Sequence, residues 1–157
     1  LGRVDRVAVL DGVIEMAAPR MKQDGVQLQY RSPDTPVWVR AGEVRLGQVF
    51  LNLVTNAIDA MQGRPARVLS IAVRDGDALE VEFRDTGPGI DDPGKVFDPF
   101  YTTKAVGDSE GMGLGLSISY GIVQSFGGDI RGRNIDSPVG GAMFTVRLER
   151  WREEQAA

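Results

Sequence analysis

The chain has 157 residues, of which 42% are apolar, and it carries a net charge of −4. It is long enough to bury one hydrophobic core, and its acidic balance argues against a nucleic-acid partner. It contains neither cysteine nor histidine, which excludes disulfides, thiolate metal sites and a histidine general base. No apolar run reaches the ~20 residues of a membrane-spanning helix. Because the first residue is Leu1 rather than Met, we expect the chain to be a fragment of a longer protein.

The N-terminal part of the sequence predicts two helices and two short strands. Residues 5–23 place apolar side chains at helical spacing, although Pro19 lies inside the span and could kink or end the helix. Residues 26–30 alternate apolar and polar side chains, which indicates a half-buried strand, and 37–40 form a second short strand. A longer helix follows directly over residues 42–61.

The helix predicted over 42–61 carries two different stripes. Its apolar stripe is expected to face the core and comprises Leu46, Val49, Phe50, Leu53, Ala57 and Ala60. A second stripe contains Gln48, Asn52, Asn56 and Asp59, and its neighbours are mostly apolar. Because burying an unpaired carboxamide costs roughly 1–3 kcal/mol, the two asparagines must find partners. Those partners are either neighbouring backbone groups or a bound ligand.

A β-hairpin is predicted after this helix. Residues 68–74 and 78–85 have the pattern of strands, and the Asp75-Gly76 pair between them is a strong hairpin signal. Asp85 falls on the apolar face at the end of the second strand, where a carboxylate needs a hydrogen-bond donor. Its side chain either caps the backbone that follows or accepts a hydrogen bond from a ligand.

The segment after this hairpin combines a glycine turn with a long stretch that lacks periodicity. The sequence DTGPGI at 85–90 allows a tight turn and a close approach of its backbone to another group. Residues 91–110 contain no clear element, which is long for a compact domain and indicates a functional lid. A glycine-rich stretch then leads into a helix over 114–126. Its free N–H groups could bind a phosphate, or the glycines could form a flexible hinge.

The last predicted elements are two strands, at 129–134 and 142–149, followed by a polar tail at 151–157. Together the elements predict an α+β fold. We expect a two-layer α/β sandwich, in which one mixed, largely antiparallel sheet carries three helices on one face.

Four motifs in a fixed order give the chain a family resemblance. They are NLVTNAIDA (52–60), DTGPGI (85–90), VFDPFYTTK (96–104) and GMGLGLSIS (111–119). These motifs resemble the N box, first glycine box, F box and second glycine box of the catalytic ATP-binding domain of two-component sensor histidine kinases. That domain has the Bergerat fold, and its superfamily also contains the gyrase, Hsp90 and MutL ATPases. The NAIDA and PFYTTK sequences are most similar to the nitrogen-regulation and dicarboxylate-sensing kinases.

The resemblance implies a domain organisation. It covers residues 5–150, so residues 1–4 would be the end of a linker from a dimerisation region and 151–157 a C-terminal tail. It also implies ATP and Mg²⁺ as cofactors and a flexible ATP lid between the second and fourth motifs.

The resemblance implies roles for the polar residues of the motifs. Asn56 would bind Mg²⁺ through its side-chain oxygen, and Asn52 would contact the phosphates and the metal ion. Asp85 would accept a hydrogen bond from the adenine amino group, while Gly89 would let the base approach. In the related ATPases, a Glu that activates water stands at the Asn52 position. An amide cannot activate water, which favours transfer of the phosphoryl group to a histidine over hydrolysis.

Further nucleotide contacts are implied around the four motifs. Lys104 would reach a phosphate oxygen in a catalytic role, unless it is only a solvated lid residue. Asp59 would hold a water molecule in the adenine pocket or simply face the sheet. The other implied contacts are Ala60, Gly87, Ile90, Phe100, Thr102, Thr103, Gly111, Met112, Gly113, Leu114, Gly115 and Leu116.

The chain departs from the family pattern in two ways. It contains no histidine, so the phosphate acceptor must lie on a dimerisation domain outside this chain. Many relatives carry Thr just after the glycine of the last strand, whereas this chain carries Ala142. This position therefore offers no hydroxyl for the water network that holds adenine in those relatives.

The expected function is that of a histidine kinase catalytic domain, which binds Mg·ATP and transfers the γ-phosphoryl group to a histidine of the same parent protein. The expected partners are that dimerisation domain and a downstream response regulator. We expect the fragment to be monomeric and cytoplasmic, and its parent to be a homodimer anchored in the inner membrane. The alternatives are an anti-sigma-type serine kinase and a non-catalytic nucleotide-sensing module; a gyrase-type hydrolase is less consistent with Asn52.

Overall fold

The structure, a computed structural model, describes residues 2–33, 38–98, 114–136 and 140–151. Its elements in chain order are β1 (Gly2–Asp5), α1 (Arg6–Gln23), β2 (Gln27–Arg31), β3 (Trp38–Ala41), α2 (Glu43–Ala60), β4 (Val68–Asp75), β5 (Leu79–Arg84), a single-turn 3₁₀ helix (Pro93–Lys95), α3 (Leu114–Ser125), β6 (Asp129–Asn134) and β7 (Ala142–Leu148). Every predicted helix and strand is present, and its boundaries agree to within one residue at either end.

A five-stranded sheet with the strand order β2-β4-β5-β7-β6 forms one layer of the fold. β2 and β4 run parallel, and the other three neighbouring pairs are antiparallel. Alternate strand residues such as Ile71, Val81 and Val146 are buried in the hydrophobic core, as the period of two requires. The arrangement confirms the predicted α+β sandwich with a mixed, largely antiparallel sheet and three helices.

α2 lies at the centre of the helical layer, where it contacts both α1 and α3. The predicted apolar stripe is confirmed, and its fully buried members are Leu46, Val49, Phe50, Leu53 and Ala57. The ring of Phe50 lies 5.7 Å from the ring of Phe83 on β5, which joins the helix to the sheet. Ala60, also assigned to this stripe, is only half buried because the helix ends there.

One feature of the N-terminal part was not predicted. Residues Gly2–Asp5 form β1, which pairs with β3 in a separate antiparallel sheet. Only Val4 of this strand is buried, so the alternation that identifies a strand is missing from the sequence. α1 continues through Pro19 to its last residue, and Pro19 is exposed, so water can solvate the carbonyl that loses its helical donor. None of the helices in the described part of the chain has the length and apolar character that crossing a bilayer requires.

Candidate functional site

Asp85 directly follows β5, the central strand of the sheet, and lies in a buried position beside the start of β7. The residue is 3% exposed, and its Oδ1 accepts hydrogen bonds from the backbone N–H groups of Gly87 at 2.9 Å and Ala142 at 3.2 Å. The predicted cap on the following backbone is therefore present. Both hydrogen bonds fall on one oxygen, so Oδ2 has no donor among the described residues and can accept from another group.

The surroundings of Asp85 also shift its pKa. Burial raises the pKa of the carboxyl, because the ionised form loses its hydration. The two backbone N–H groups and the positive charge of Arg64 favour the ionised form and oppose this shift, but burial is the larger effect. A perturbed carboxylate at the end of a strand, beside a glycine turn, is typical of a functional site rather than of a structural salt bridge.

Backbone atoms approach the glycine turn so closely that two positions exclude a side chain. A Cβ on Gly87 would lie 2.8 Å from the carbonyl oxygen of Ala60, the last residue of α2. A Cβ on Gly141 would overlap the carbonyl oxygen of Asp85, and Gly141 also has a φ of +116°, which disfavours any side chain. The turn therefore lies wedged between the end of α2 and the start of β7.

Asn134, the last residue of β6, holds the other end of the glycine turn and was missed in the sequence analysis. Its Oδ1 accepts a hydrogen bond from the backbone N–H of Ile90 at 2.6 Å, and its Nδ2 donates to the carbonyl oxygen of Ile90 at 2.9 Å. A Cβ on Gly89 would lie 2.7 Å from Asn134 Oδ1. The Asn134 side chain therefore occupies the space next to Gly89 into which a Cβ would point.

Thr86 was also missed. Its hydroxyl donates to the carbonyl oxygen of Ala66 at 2.7 Å and accepts from the backbone N–H of Val68 at 3.1 Å. The side chain thereby ties the residue after Asp85 to the start of β4. A threonine inside a glycine turn carries no sequence signal for a partner about twenty residues away.

The asparagine stripe of α2 faces the first turns of α3. Asn52 Nδ2 donates to the hydroxyl of buried Ser119 at 3.1 Å and to the carbonyl oxygen of Gly115 at 3.4 Å. Its Oδ1 accepts no hydrogen bond from the described residues. Asn56, one turn further along α2, forms no side-chain hydrogen bond within those same ranges. α3 therefore provides hydrogen-bond acceptors for Asn52 Nδ2 but no donor for its Oδ1. Both polar side-chain atoms of Asn56 are open to a ligand.

Asp59 and Ala60, at the end of α2, have different surroundings. Asp59 Oδ1 forms an ion pair with the guanidinium group of Arg20 on α1, so this carboxylate oxygen faces the neighbouring helix. Its expected role in holding a water molecule stays a prediction. Ala60 borders the glycine turn through its carbonyl oxygen, which lies against Gly87.

Most of the expected lid contacts lie outside the described residues. These are Phe100, Thr102, Thr103, Lys104, Gly111, Met112 and Gly113. Of the remaining contacts, Leu114 opens α3, and Gly115 and Leu116 follow in its first turn. Near the end of the described range 38–98, the ring of Phe97 stacks on Tyr120 of α3, with the ring centroids 5.3 Å apart. The segment after the glycine turn is thus attached to the same helix that Asn52 contacts.

Comparison with known proteins identifies the family. The family model described as "Histidine kinase-, DNA gyrase B-, and HSP90-like ATPase" matches residues 41–152. C4-dicarboxylate transport sensor protein DctB of Pseudomonas aeruginosa is 35% identical over 144 residues, which cover 88% of this chain and 23% of that protein. Sensor histidine kinase ZraS of Escherichia coli O157:H7 is 33% identical over 150 residues, covering 94% of this chain and 31% of that protein. The chain therefore spans less than a third of the length of either relative.

The fold leads to the same family. The nucleotide-free catalytic domain of histidine kinase ThkA superposes with a TM-score of 0.81 at 26% identity, and the match covers 95% of each chain. The match to DctB confirms the resemblance to the dicarboxylate-sensing kinases. The chain belongs to the histidine kinase-, DNA gyrase B- and HSP90-like ATPases, and within that family it is the catalytic ATP-binding domain of a sensor histidine kinase.

Proposed function

We propose that the domain binds Mg·ATP between α2, the glycine turn at 85–90 and the first turns of α3, and transfers the γ-phosphoryl group to a histidine. The chain has no histidine, so the acceptor lies on a dimerisation domain of the same parent protein. The adenine base would occupy the end of this site near Asp85, and the triphosphate the end near Asn52 and Asn56.

The adenine end offers one strong acceptor. Asp85 Oδ2 would accept from the exocyclic amino group of adenine, while Oδ1 stays bound to the two backbone N–H groups. A hydrogen bond to an ionised carboxylate in a buried position is stronger than one between neutral groups. The backbone of Gly87, Gly89 and Ile90 would line the same end of the site.

The observation that carries the proposal is that α2 contacts both the first turns of α3 and the glycine turn. Its asparagine stripe faces α3, and its last residue, Ala60, borders the glycine turn beside Asp85. Asn52 and Ala60 are eight positions apart, which corresponds to ~12 Å along a helix. This span suits a nucleotide that lies along the helix with its base at one end and its phosphates at the other. The N-terminus of α3 adds N–H groups and a positive helix dipole at the phosphate end.

The residues at the phosphate end fit Mg²⁺. The described residues include no group of three or more carboxylate, histidine or cysteine side chains that could hold a metal ion, but Mg²⁺ on a nucleotide needs only one or two protein oxygens, because phosphates and water supply the others. Asn56 Oδ1 would bind the ion, with Asn52 Oδ1 next to the phosphates. Bound Mg²⁺ would neutralise phosphate charge.

The reaction needs positioning and charge stabilisation more than covalent chemistry by the domain. An imidazole nitrogen of the acceptor attacks the γ-phosphorus, the bond to the β,γ-bridging oxygen breaks, and ADP leaves. Asn52 cannot remove a proton from water, which disfavours hydrolysis. The lid would cover the phosphates through Thr102, Thr103, Lys104, Gly111, Met112, Gly113, Leu114, Gly115 and Leu116. Phe100 would shield the site, and Asp59 would order a water near the base.

The partners and the location of the parent protein are part of the proposal. The relatives are named as sensors, one of them as a two-component sensor, which supports a role in two-component signalling. We propose that the parent is a homodimer anchored in the inner membrane and that it holds this domain in the cytoplasm. The phosphoryl group would pass from the histidine to a response regulator.

A reconstituted transfer reaction tests this function. The chain is mixed with the histidine-bearing helical hairpin of its parent and with Mg·ATP labelled at the γ-phosphate. We expect an acid-labile label on the hairpin. Asn56→Ala should slow labelling by about 100-fold or more, the scale of removing a group that stabilises transition-state charge. Thr55→Ala is the control on the same helix, because the Thr55 hydroxyl donates only to carbonyl oxygens of α2 within the part of the chain that the structure describes.

The outcomes separate the candidate functions. An unlabelled hairpin in the presence of bound ATP would contradict phosphoryl transfer and favour a nucleotide-sensing module. An acid-stable label would indicate a serine kinase instead.

A further inference from the structure

We propose that Asn134 is a positioning residue for the adenine end of the site, which acts through the backbone of Ile90 without contacting the nucleotide. This inference rests on the proposed binding of ATP. Asn134 lies outside all four sequence motifs, yet it joins the end of β6 to the end of the glycine turn across 44 positions in the chain.

The carboxamide of Asn134 makes the two backbone hydrogen bonds to Ile90 that a neighbouring β-strand would make in a sheet. Like a peptide group, a carboxamide presents a donor and an acceptor in one plane. Here the acceptor binds the N–H of Ile90 and the donor binds its carbonyl oxygen. Ile90 is buried and both hydrogen bonds are part-buried, so loss of this side chain would leave the two backbone groups of Ile90 without a partner among the described residues. The side chain therefore fixes a residue that belongs to no regular strand.

The side chain of Ile90 provides a second point of attachment. A Cβ on Gly132 of β6 would lie 3.3 Å from Ile90 Cδ1, so Ile90 packs over the position where the strand has no side chain. Asn134 is two residues further along the same strand and holds the backbone of Ile90. Together the two contacts fix both the position and the rotation of Ile90.

The same strand pair also holds the first residue of the turn. Asn134 is the register partner of Ala142 on β7, and the N–H of Ala142 donates to Asp85 Oδ1. Asp85 and Ile90, at the two ends of the turn, are thus both anchored at the joined ends of β6 and β7. The backbone between them, including Gly87 and Gly89, is therefore held at both ends. Loss of the Asn134 contacts would release the Ile90 end and change the position of the adenine-facing backbone.

A purely structural role would give a different result from a positioning role. The Asn134 side chain is exposed, so its truncation removes little packing and should lower the melting temperature only slightly. Positioning of the base end predicts a selective loss: affinity for Mg·ATP falls, whereas affinity for Mg·tripolyphosphate, which has no base, does not.

The experiment measures both ligands by calorimetry on the wild-type chain and on Asn134→Ala. We expect about tenfold weaker binding of Mg·ATP, equivalent to ~1.4 kcal/mol, and a change of less than about twofold for Mg·tripolyphosphate. Gln29→Ala is the matched control and should change neither affinity. It removes an exposed amide on the edge strand β2, whose oxygen accepts from the Ser70 hydroxyl of β4. In the free proteins, hydrogen exchange at the Ile90 amide should be faster in Asn134→Ala than in the wild type.

Should Asn134→Ala not fold, Asn134→Asp replaces it, because a carboxylate keeps the acceptor and removes the donor to the Ile90 carbonyl group. Unchanged ATP affinity in a variant, or an equal loss for both ligands, would overturn the positioning role. A wild-type chain that binds tripolyphosphate but gains nothing from the adenosine part would instead contradict the proposed function itself, so the two failures are distinguishable.

Discussion

Asp85 is the residue at which the requirements of folding and of the site conflict. Burial opposes its negative charge, and an uncharged residue would be easier to accommodate in the core. The backbone of Gly87 and Ala142 compensates only one of its two oxygens. The second oxygen makes sense as the acceptor for a ligand, which is the role that the family resemblance implies.

Replacing Asp85 by Asn should weaken ATP binding. The amide keeps an acceptor for the two backbone donors, but it can turn a donor toward the amino group of adenine. We expect Asp85→Asn to lose about 1.5–3 kcal/mol, the usual range for a hydrogen bond to a charged group, or roughly 10- to 150-fold in the dissociation constant. Calorimetry with Mg·ATP measures this loss, with Asp77→Asn in the exposed hairpin as the control. An unchanged affinity would mean that the base does not lie at Asp85.

The same substitution should alter the pH dependence of stability. Because burial raises the pKa of Asp85 above its ordinary value of 3.8, the folded chain binds a proton more readily than the unfolded chain. The contribution of Asp85 to stability is therefore most favourable below 3.8 and declines as the pH rises through the folded pKa. The melting temperature of Asp85→Asn minus that of the wild type should increase between about pH 4 and pH 7. A difference that is constant or falls over this range would contradict the stated effect of burial.

At the scale of elements, the two glycines that precede β7 differ in how closely they pack against Asp85. Gly141 lies against the backbone of Asp85 and has a positive φ, whereas Gly140 has a φ of +78° with open space around its Cβ position. A side chain at Gly140 would therefore meet only the unfavourable positive φ. A side chain at Gly141 would meet both a positive φ and a steric overlap with Asp85.

Gly141→Ala and Gly140→Ala test this contact as a matched pair. Gly140→Ala should cost about 1–2 kcal/mol in unfolding free energy, the penalty of a side chain in left-handed backbone. Gly141→Ala should cost more by a further 1–3 kcal/mol or so, because its Cβ must displace the Asp85 carbonyl group. Urea unfolding measures both values. Equal destabilisation would show that the close approach of β7 to Asp85 is not required.

The elements differ in how well the sequence predicts them. α2 is visible because its apolar and amide stripes repeat with helical spacing, and Asp85 is visible because a charge interrupts an apolar strand face. Asn134 and Ser119 have no such signal, since their partners Ile90 and Asn52 are 44 and 67 positions away. β1 was missed because it is short and buries only one residue. Local patterns thus identify the elements and the ligand-facing residues, while the residues that hold them in place depend on tertiary contacts.

At the scale of the whole molecule, the domain would supply one half of the proposed reaction. It has the acceptor oxygens, the glycine turn and the helix N-terminus that a bound nucleotide requires, and it has no histidine to accept the phosphoryl group. Its relatives are several times longer, which leaves room in the parent for the acceptor. The central claim is therefore the position of the nucleotide, because transfer depends on the γ-phosphate facing out of the site toward a separate domain.

The most direct test is a crystal structure of this chain with Mg²⁺ and a non-hydrolysable ATP analogue. The account predicts the adenine amino group within hydrogen-bond distance of Asp85 Oδ2, the metal ion on the side-chain oxygen of Asn56, and the phosphates between α2 and the N-terminus of α3. A base bound away from Asp85, or a metal ion held by residues other than the α2 asparagines, would contradict it.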